Sequence, residues 1–226
     1  MLTTDDKRLY LLALLLFSLP ALGLDYDPEL GFEINEVCAG CHGEFGQGGK
    51  DGEYPRLAGM PADFIAYQLH LFRDRKRPNL AMVEYVDERQ MPDADIFSVS
   101  EFLARIELKT KLPPANENDP GFDAYARLLE SKKLMQIPRA EGDLEKGGKL
   151  YRKECASCHG KLGEGDQKDA VPLLAGQYTK YLWRQVEKLR QKIRIHDPEE
   201  PDEELLSDFT DEEIRDIFAY LSILDD

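Results

Sequence analysis

The sequence predicts an all-α fold built as two similar domains, and three observations carry that prediction. Cys38-Ala39-Gly40-Cys41-His42 recurs as Cys155-Ala156-Ser157-Cys158-His159. A shift of 117 positions lays the second half over the first: Gly43, Gly46 and Gly48 meet Gly160, Gly163 and Gly165, and Pro55-Arg56-Leu57-Ala58-Gly59 meets Pro172-Leu173-Leu174-Ala175-Gly176. Gly31 also falls on Gly148, Gln68 on Gln185, Arg73 on Arg190 and Arg77 on Arg194, so the register holds over roughly forty positions, as an internal duplication requires. Apolar residues recur at helical spacing in each copy, and no segment reads as a strand.

The first residues are an address. Lys7 and Arg8 precede the apolar stretch Leu9–Leu19, and Pro20-Ala21-Leu22-Gly23 offers a small-residue cleavage site. The stretch is shorter than the ~20 residues a membrane span needs, so residues 1–23 are expected to be a signal peptide that leaves no membrane span after cleavage. The first domain is then 24–112 and the second 142–226. Residues 113–141 form a linker that opens Pro113-Pro114 and carries an extra helix over Phe122–Leu134.

Within each copy a short helix, Phe32–Ala39 or Glu145–Ala156, brings the cysteines to its C-terminal end. A glycine-rich loop follows, with the backbone freedom to wrap a flat cofactor. No strand precedes it and no Walker pattern is present, which argues against a phosphate cradle. Amphipathic helices come next, Phe64–Arg75 and Thr179–Ile193. The last helices, Ile96–Ile106 and Ile214–Leu224, follow acidic turns that suit a helix N-terminus, and Thr210 with Glu213 matches a capping box.

C-x-x-C-H is the attachment sequence of a c-type haem: Cys38 and Cys41, or Cys155 and Cys158, add to the two vinyl groups, and His42 or His159 is the proximal iron ligand. The two motifs use all four cysteines, which predicts two covalently bound haem c groups. A zinc site would need all four thiolates and leave both histidines without a role. A redox pair would be expected beside a βαβ pattern, and two disulfides would also leave the histidines unexplained. Haem attachment also fits export to the periplasm.

These features together resemble the di-haem, two-domain class I cytochromes c of bacterial periplasms, the cytochrome c4 type. The shared elements are the paired C-x-x-C-H-G motifs, the Pro-x-Leu-Ala-Gly segments, the glutamine-bearing helices and the acid-capped last helices ending in Ala219-Tyr220-Leu221. The resemblance implies two tandem class I domains, each wrapping one haem, with electron transfer as the activity. It also implies a distal methionine C-terminal to each motif. Family position favours Met82 for the first haem over Met91 and Met60. The second domain departs from the pattern, because no methionine follows Met135 and the position of Met82 falls on Glu199. His196, three residues earlier in the same segment, is the imidazole left to ligate the second iron; the alternative is an iron without a protein distal ligand. His70 aligns with Glu187 and reads as a surface residue.

Charge bears on partners. The formal net charge of −15 excludes a nucleic-acid surface. Residues 197–226 hold thirteen carboxylates against Arg215 alone, a face suited to a basic docking surface on a redox protein or a membrane-bound oxidoreductase. Arg73-Asp74-Arg75-Lys76-Arg77 is expected to give the first domain a local basic patch. The expected function is a periplasmic electron carrier or electron-transfer subunit without catalytic residues. The alternative is a peroxidase-like haem enzyme or small-ligand reductase using an open distal site at the second haem.

Overall fold

The computed structural model describes residues 26–87, 91–196 and 204–224. The leader, and most of the acidic run with Glu199 in it, lie outside these residues. The described chain is helical, and its only β pairings are isolated bridges, Gly49 with Tyr54, Lys109 with Leu134 and Asp166 with Val171.

In the first half α1 (Pro28–His42) starts at Asp27, whose carboxylate accepts from the Glu29 and Leu30 amides. Proline at the first helical position costs nothing there, because its missing N–H would have had no partner. After the glycine loop come α2 (Ala62–Arg73), α3 (Leu80–Tyr85) and α4 (Asp93–Ala104). Ile65, Phe72, Val86, Ile96, Val99 and Leu103 form the core they enclose, each contributing about 1.5–3 kcal/mol by burial. The α1–α4 crossing is close: a Cβ on Gly31 would lie 2.6 Å from the Ser98 carbonyl oxygen.

The second half repeats this plan as α6 (Leu144–Glu154), α7 (Ala156–His159), α8 (Thr179–Arg190) and α9 (Asp211–Leu221), around Tyr151, Leu182, Val186, Ile214, Ile217 and Leu221. The motif helix, expected to run unbroken to Ala156, instead breaks at Cys155, which separates α6 from α7. The capping box at Thr210 and Glu213 is present. Here the tightest crossing uses Gly147, one residue before the repeat-matched Gly148: a Cβ would sit 1.9 Å from the Asp216 carbonyl oxygen. The buried Asp216 carboxylate accepts from the Asp143 amide at 2.9 Å and pairs with Lys146 at 3.3 Å, tying the start of α6 to α9. The Asp143 amide, ahead of Lys146, holds Asp216 below the usual aspartate range, and the Thr210 cap does the same for Glu213. A depressed carboxylate stabilises the fold above its unfolded-state value and loses that contribution as pH falls through the folded one. The thermal midpoint is therefore expected to drop as pH falls below about 4, and Asp216→Asn to flatten that acid limb in a scan of midpoint against pH.

The halves pack on each other through specific contacts. Leu173 of the second completes the buried core of the first. Gln177 exchanges two hydrogen bonds with the Arg56 backbone, both 3.0 Å, and the Gln167 side-chain amide donates to the Gly59 carbonyl at 3.0 Å.

The linker helix α5 (Ala124–Ser131) is shorter than the expected Phe122–Leu134, since Asp123 caps its start and Ser131 bonds back to the Leu128 carbonyl at its end. It buries none of its residues and leaves Tyr125, Leu128 and Leu129 exposed. The segment just after it docks on the first half: Lys132 pairs with Glu44 at 3.1 Å, and the Lys133 ammonium lies over the Phe45 ring.

Candidate functional site

Both C-x-x-C-H motifs sit in a similar local frame, in which the bonds that hold the histidine recur. His42 Nδ1 lies 2.9 Å from the Pro55 carbonyl oxygen, and His159 Nδ1 lies 2.9 Å from that of Pro172. The Gly48 amide donates to the His42 carbonyl at 2.7 Å, and Gly165 to His159 at 2.8 Å. The Leu57 amide reaches the Gly46 carbonyl at 2.7 Å, matched by Leu174 and Gly163 at 2.8 Å. A carbonyl can only accept, so Nδ1 carries the proton in both rings and Nε2 keeps a free lone pair for a metal. A hydrogen bond of this kind fixes the orientation of a ligating imidazole. Burial pulls both imidazoles below their ordinary value, against the pull of the proline carbonyls, and His196 adds to the depression at His159. Neutral imidazole is the metal-binding form.

The four cysteines are free thiols; Cys38 and Cys155 are half-buried, Cys41 and Cys158 exposed. Burial pushes Cys38 and Cys155 up to about 11. Among the described residues no three of His, Cys, Asp and Glu converge as a metal-holding group. The donor set therefore fits a cofactor held by thioethers and one imidazole per half.

The distal sides differ. His196, on the exposed stretch after α8, faces His159 with ring centroids 6.2 Å apart and planes inclined by 39°. In the first half Met60 and Met91 are core residues, only 5% and 6% exposed. Met82 is half-buried in α3, on the rim of the core cluster that Cys38 also borders. Asn79 caps this short helix through the Met82 amide, a helix that six residues were too few to announce. His70 is more engaged than a surface residue: its Nδ1 lies 2.7 Å from the Arg73 guanidinium and 3.9 Å from Asp93.

The expected basic patch at Arg73–Arg77 is reduced to exposed Arg75 and Lys76. Arg73 pairs with Asp93 at 2.8 Å and Lys76 with Asp74 at 3.5 Å. Arg77 is 9% exposed and turns inward, donating to Gln68 Oε1 at 2.6 Å, Gln185 Oε1 at 2.9 Å and the Tyr181 hydroxyl at 3.2 Å. Arg194, its repeat partner, donates to the same Gln185 oxygen at 3.0 Å. Among the described residues no carboxylate pairs with either guanidinium. Burial, with Arg77 beside it, pulls Arg194 down to about 10. Burial alone would raise the Tyr181 phenol, but Arg77 and Arg194 outweigh it and hold it below its ordinary value. Two guanidiniums thus meet on one neutral amide oxygen between the halves, with no described carboxylate to neutralise them. The signal was in the sequence: Gln68/Gln185 and Arg77/Arg194 are polar pairs kept through the repeat.

Comparison with known proteins fits this geometry. A cytochrome c family model matches residues 144–225. The chain is 31% identical over 163 residues to the thiosulfate dehydrogenase electron acceptor of Thiomonas intermedia, covering 71% of this chain and 66% of that protein. It is 26% identical over 192 residues to cytochrome c4 of Pseudomonas aeruginosa, covering 83% and 84%. The reduced recombinant cytochrome c4 of Pseudomonas stutzeri superposes with a TM-score of 0.66 at 19% identity, over 88% of this chain and 98% of that one. The chain belongs to the cytochrome c4 type of class I cytochromes c. Its fold is the tandem, all-helical one of cytochrome c4, and a cytochrome c family implies covalently bound haem c.

Proposed function

We propose that this cytochrome c4-type chain is a periplasmic electron-transfer protein carrying two haem c groups with unequal distal ligands. Cys38 and Cys41 would hold the first and Cys155 and Cys158 the second, with His42 and His159 proximal. Met82 would complete the first iron and His196 the second. The observation that carries the second assignment is the spacing of His159 and His196. An iron between two imidazoles needs about 2 Å to each nitrogen and roughly 1 Å more to each ring centre, so centres about 6 Å apart; the measured separation is 6.2 Å. Met82 is supported by exclusion of the other first-half methionines to the core, and by its place on the half-buried rim shared with Cys38.

The bound haems supply one-electron chemistry at iron. The chain's own residues do the rest. The prolyl carbonyls of Pro55 and Pro172 fix the imidazole rings and raise their basicity through Nδ1. Arg77 and Arg194 would offer the carboxylates of a bound haem the countercharge that no protein carboxylate provides among the described residues. A thioether stabilises reduced iron more than a second imidazole does, so the first site would sit at the higher potential and electrons would run from the second domain to the first. The relative from Thiomonas intermedia is named as an electron acceptor of thiosulfate dehydrogenase, which supports an oxidoreductase of that kind as the electron donor here. Export rests on the leader at 1–23. Among the described residues no helix is long and apolar enough to cross a membrane.

The test is spectroscopic. The intact protein is expected to contain two haems per chain. EPR of the oxidised form should show one His/Met and one bis-imidazole low-spin centre. A high-spin signal at neutral pH from the untreated protein would overturn the His196 assignment.

A further inference from the structure

Helices α2 and α8 end in the same hook. Past Arg73 the chain turns through Arg75 at φ 58°, and past Arg190 through Lys192 at φ 54°. The two residues match in the repeat, and both hold a left-handed conformation that a Cβ disfavours. The hook folds the next arginine back: the Arg77 amide donates to the Leu71 carbonyl at 2.9 Å, and the Arg194 amide to that of Lys188 at 3.1 Å. Each guanidinium then donates to a glutamine nine positions earlier in its own half, Arg77 to Gln68 and Arg194 to Gln185. The distal candidates follow at once. Met82 comes five positions after Arg77, across Pro78, whose ring fixes its φ, and Asn79, which caps α3 through the Met82 amide. His196 comes two positions after Arg194. With straps this short, each ligand is placed by where its arginine is anchored.

The anchor is shared. Gln185 Oε1 accepts from Arg194 at 3.0 Å and, across the joint between the halves, from Arg77 at 2.9 Å. An amide oxygen has two lone pairs, so one buried side chain serves both donors. Tyr181, one turn earlier on α8, accepts a further Arg77 bond through its hydroxyl at 3.2 Å. The first half has Phe64 at that position, so this oxygen belongs to the second half alone. The three Arg77 bonds use three of its five N–H groups, and the same guanidinium can therefore serve a haem carboxylate as well. We propose that Gln185 is a positioning residue for both iron centres, its one amide oxygen anchoring the strap that carries Met82 and the strap that carries His196. The inference rests on the reading that those two residues are the distal ligands. It makes the ligand of the first iron depend on a helix of the second half.

The test uses the haem-loaded protein with one readout per strap. For the first, the oxidised protein is titrated upward in pH while the thioether-to-iron charge-transfer band is followed. Lysine amines lose their protons as pH rises and take the iron once the strap opens, so a looser strap loses the band at lower pH. For the second, carbon monoxide is added to the reduced protein. Losing a hydrogen bond to a charged group shifts an opening equilibrium about tenfold. Tyr181→Phe, which installs the first half's own residue, should lower the band's midpoint by about one pH unit and leave the second haem closed. Arg194→Leu should open the second haem to carbon monoxide and leave that midpoint in place. Gln185→Leu should do both. Gln167→Ala removes an inter-half bond to Gly59 outside both straps and should do neither. The two single-strap variants decide the matter if Gln185→Leu does not take up haem. A wild-type midpoint in Tyr181→Phe, a closed second haem in Arg194→Leu, or an equal shift in Gln167→Ala would overturn the anchor. Unchanged spectra in Met82→Ala and His196→Ala would overturn the ligand reading itself, a failure distinct from midpoints that do not move.

Discussion

In the His196→Ala protein the second haem is expected to lose its low-spin signal while the first keeps its own. The oxidised variant should show a new high-spin component, and the reduced variant should bind carbon monoxide at one haem per chain, where the wild type is expected to bind none at neutral pH. The physical ground is narrow. Among the described residues no other histidine lies against His159, and the methionines of the chain precede the second motif. Adding imidazole should restore the low-spin spectrum, a rescue that a general loss of fold would not permit. An unchanged spectrum in the variant would end the assignment. The same experiment on Met82→Ala should remove only the thioether signature of the first centre.

The second large effect is expected at a helix crossing. Gly147→Val places a side chain where a Cβ alone would be 1.9 Å from the Asp216 carbonyl oxygen, a backbone atom that cannot swing aside. Separating α6 from α9 also strains the Asp143–Asp216 bond and the Lys146 pair. The cost is expected to be about 3 kcal/mol, lowering the thermal midpoint by roughly 10 °C. Gly40→Ala is the control. Nothing lies within 4 Å of that position, so alanine in α1 should be neutral or stabilise by up to about 1 kcal/mol. A Gly147→Val midpoint within about 2 °C of wild type would show that the crossing relaxes freely.

The all-α fold and the recurring motif were legible because they are local. C-x-x-C-H needs five consecutive residues, and the amphipathic helices declare themselves within three or four turns. What escaped was set by distance along the chain. Arg77 read as a surface cation because its neighbours in sequence are charged, yet it is buried by Tyr181 and Gln185, more than a hundred positions away. Gly147 was hidden behind Gly148, since the repeat marks which glycine is shared and not which one touches backbone. Helix α3 was too short for periodicity and depends on the Asn79 cap.

Leu173 carries a consequence for the history of the chain. A duplicated unit begins as two self-sufficient copies, each sealing its own interior. Here the second copy contributes a side chain to the interior of the first, and Gln177 is clamped to the Arg56 backbone from both sides. The first copy has thus traded autonomy for completion by the second, which cannot be deleted or exchanged without opening a hole in its neighbour. Selection now acts on the pair, which leaves the two cofactor surfaces free to diverge while the joint between them stays fixed.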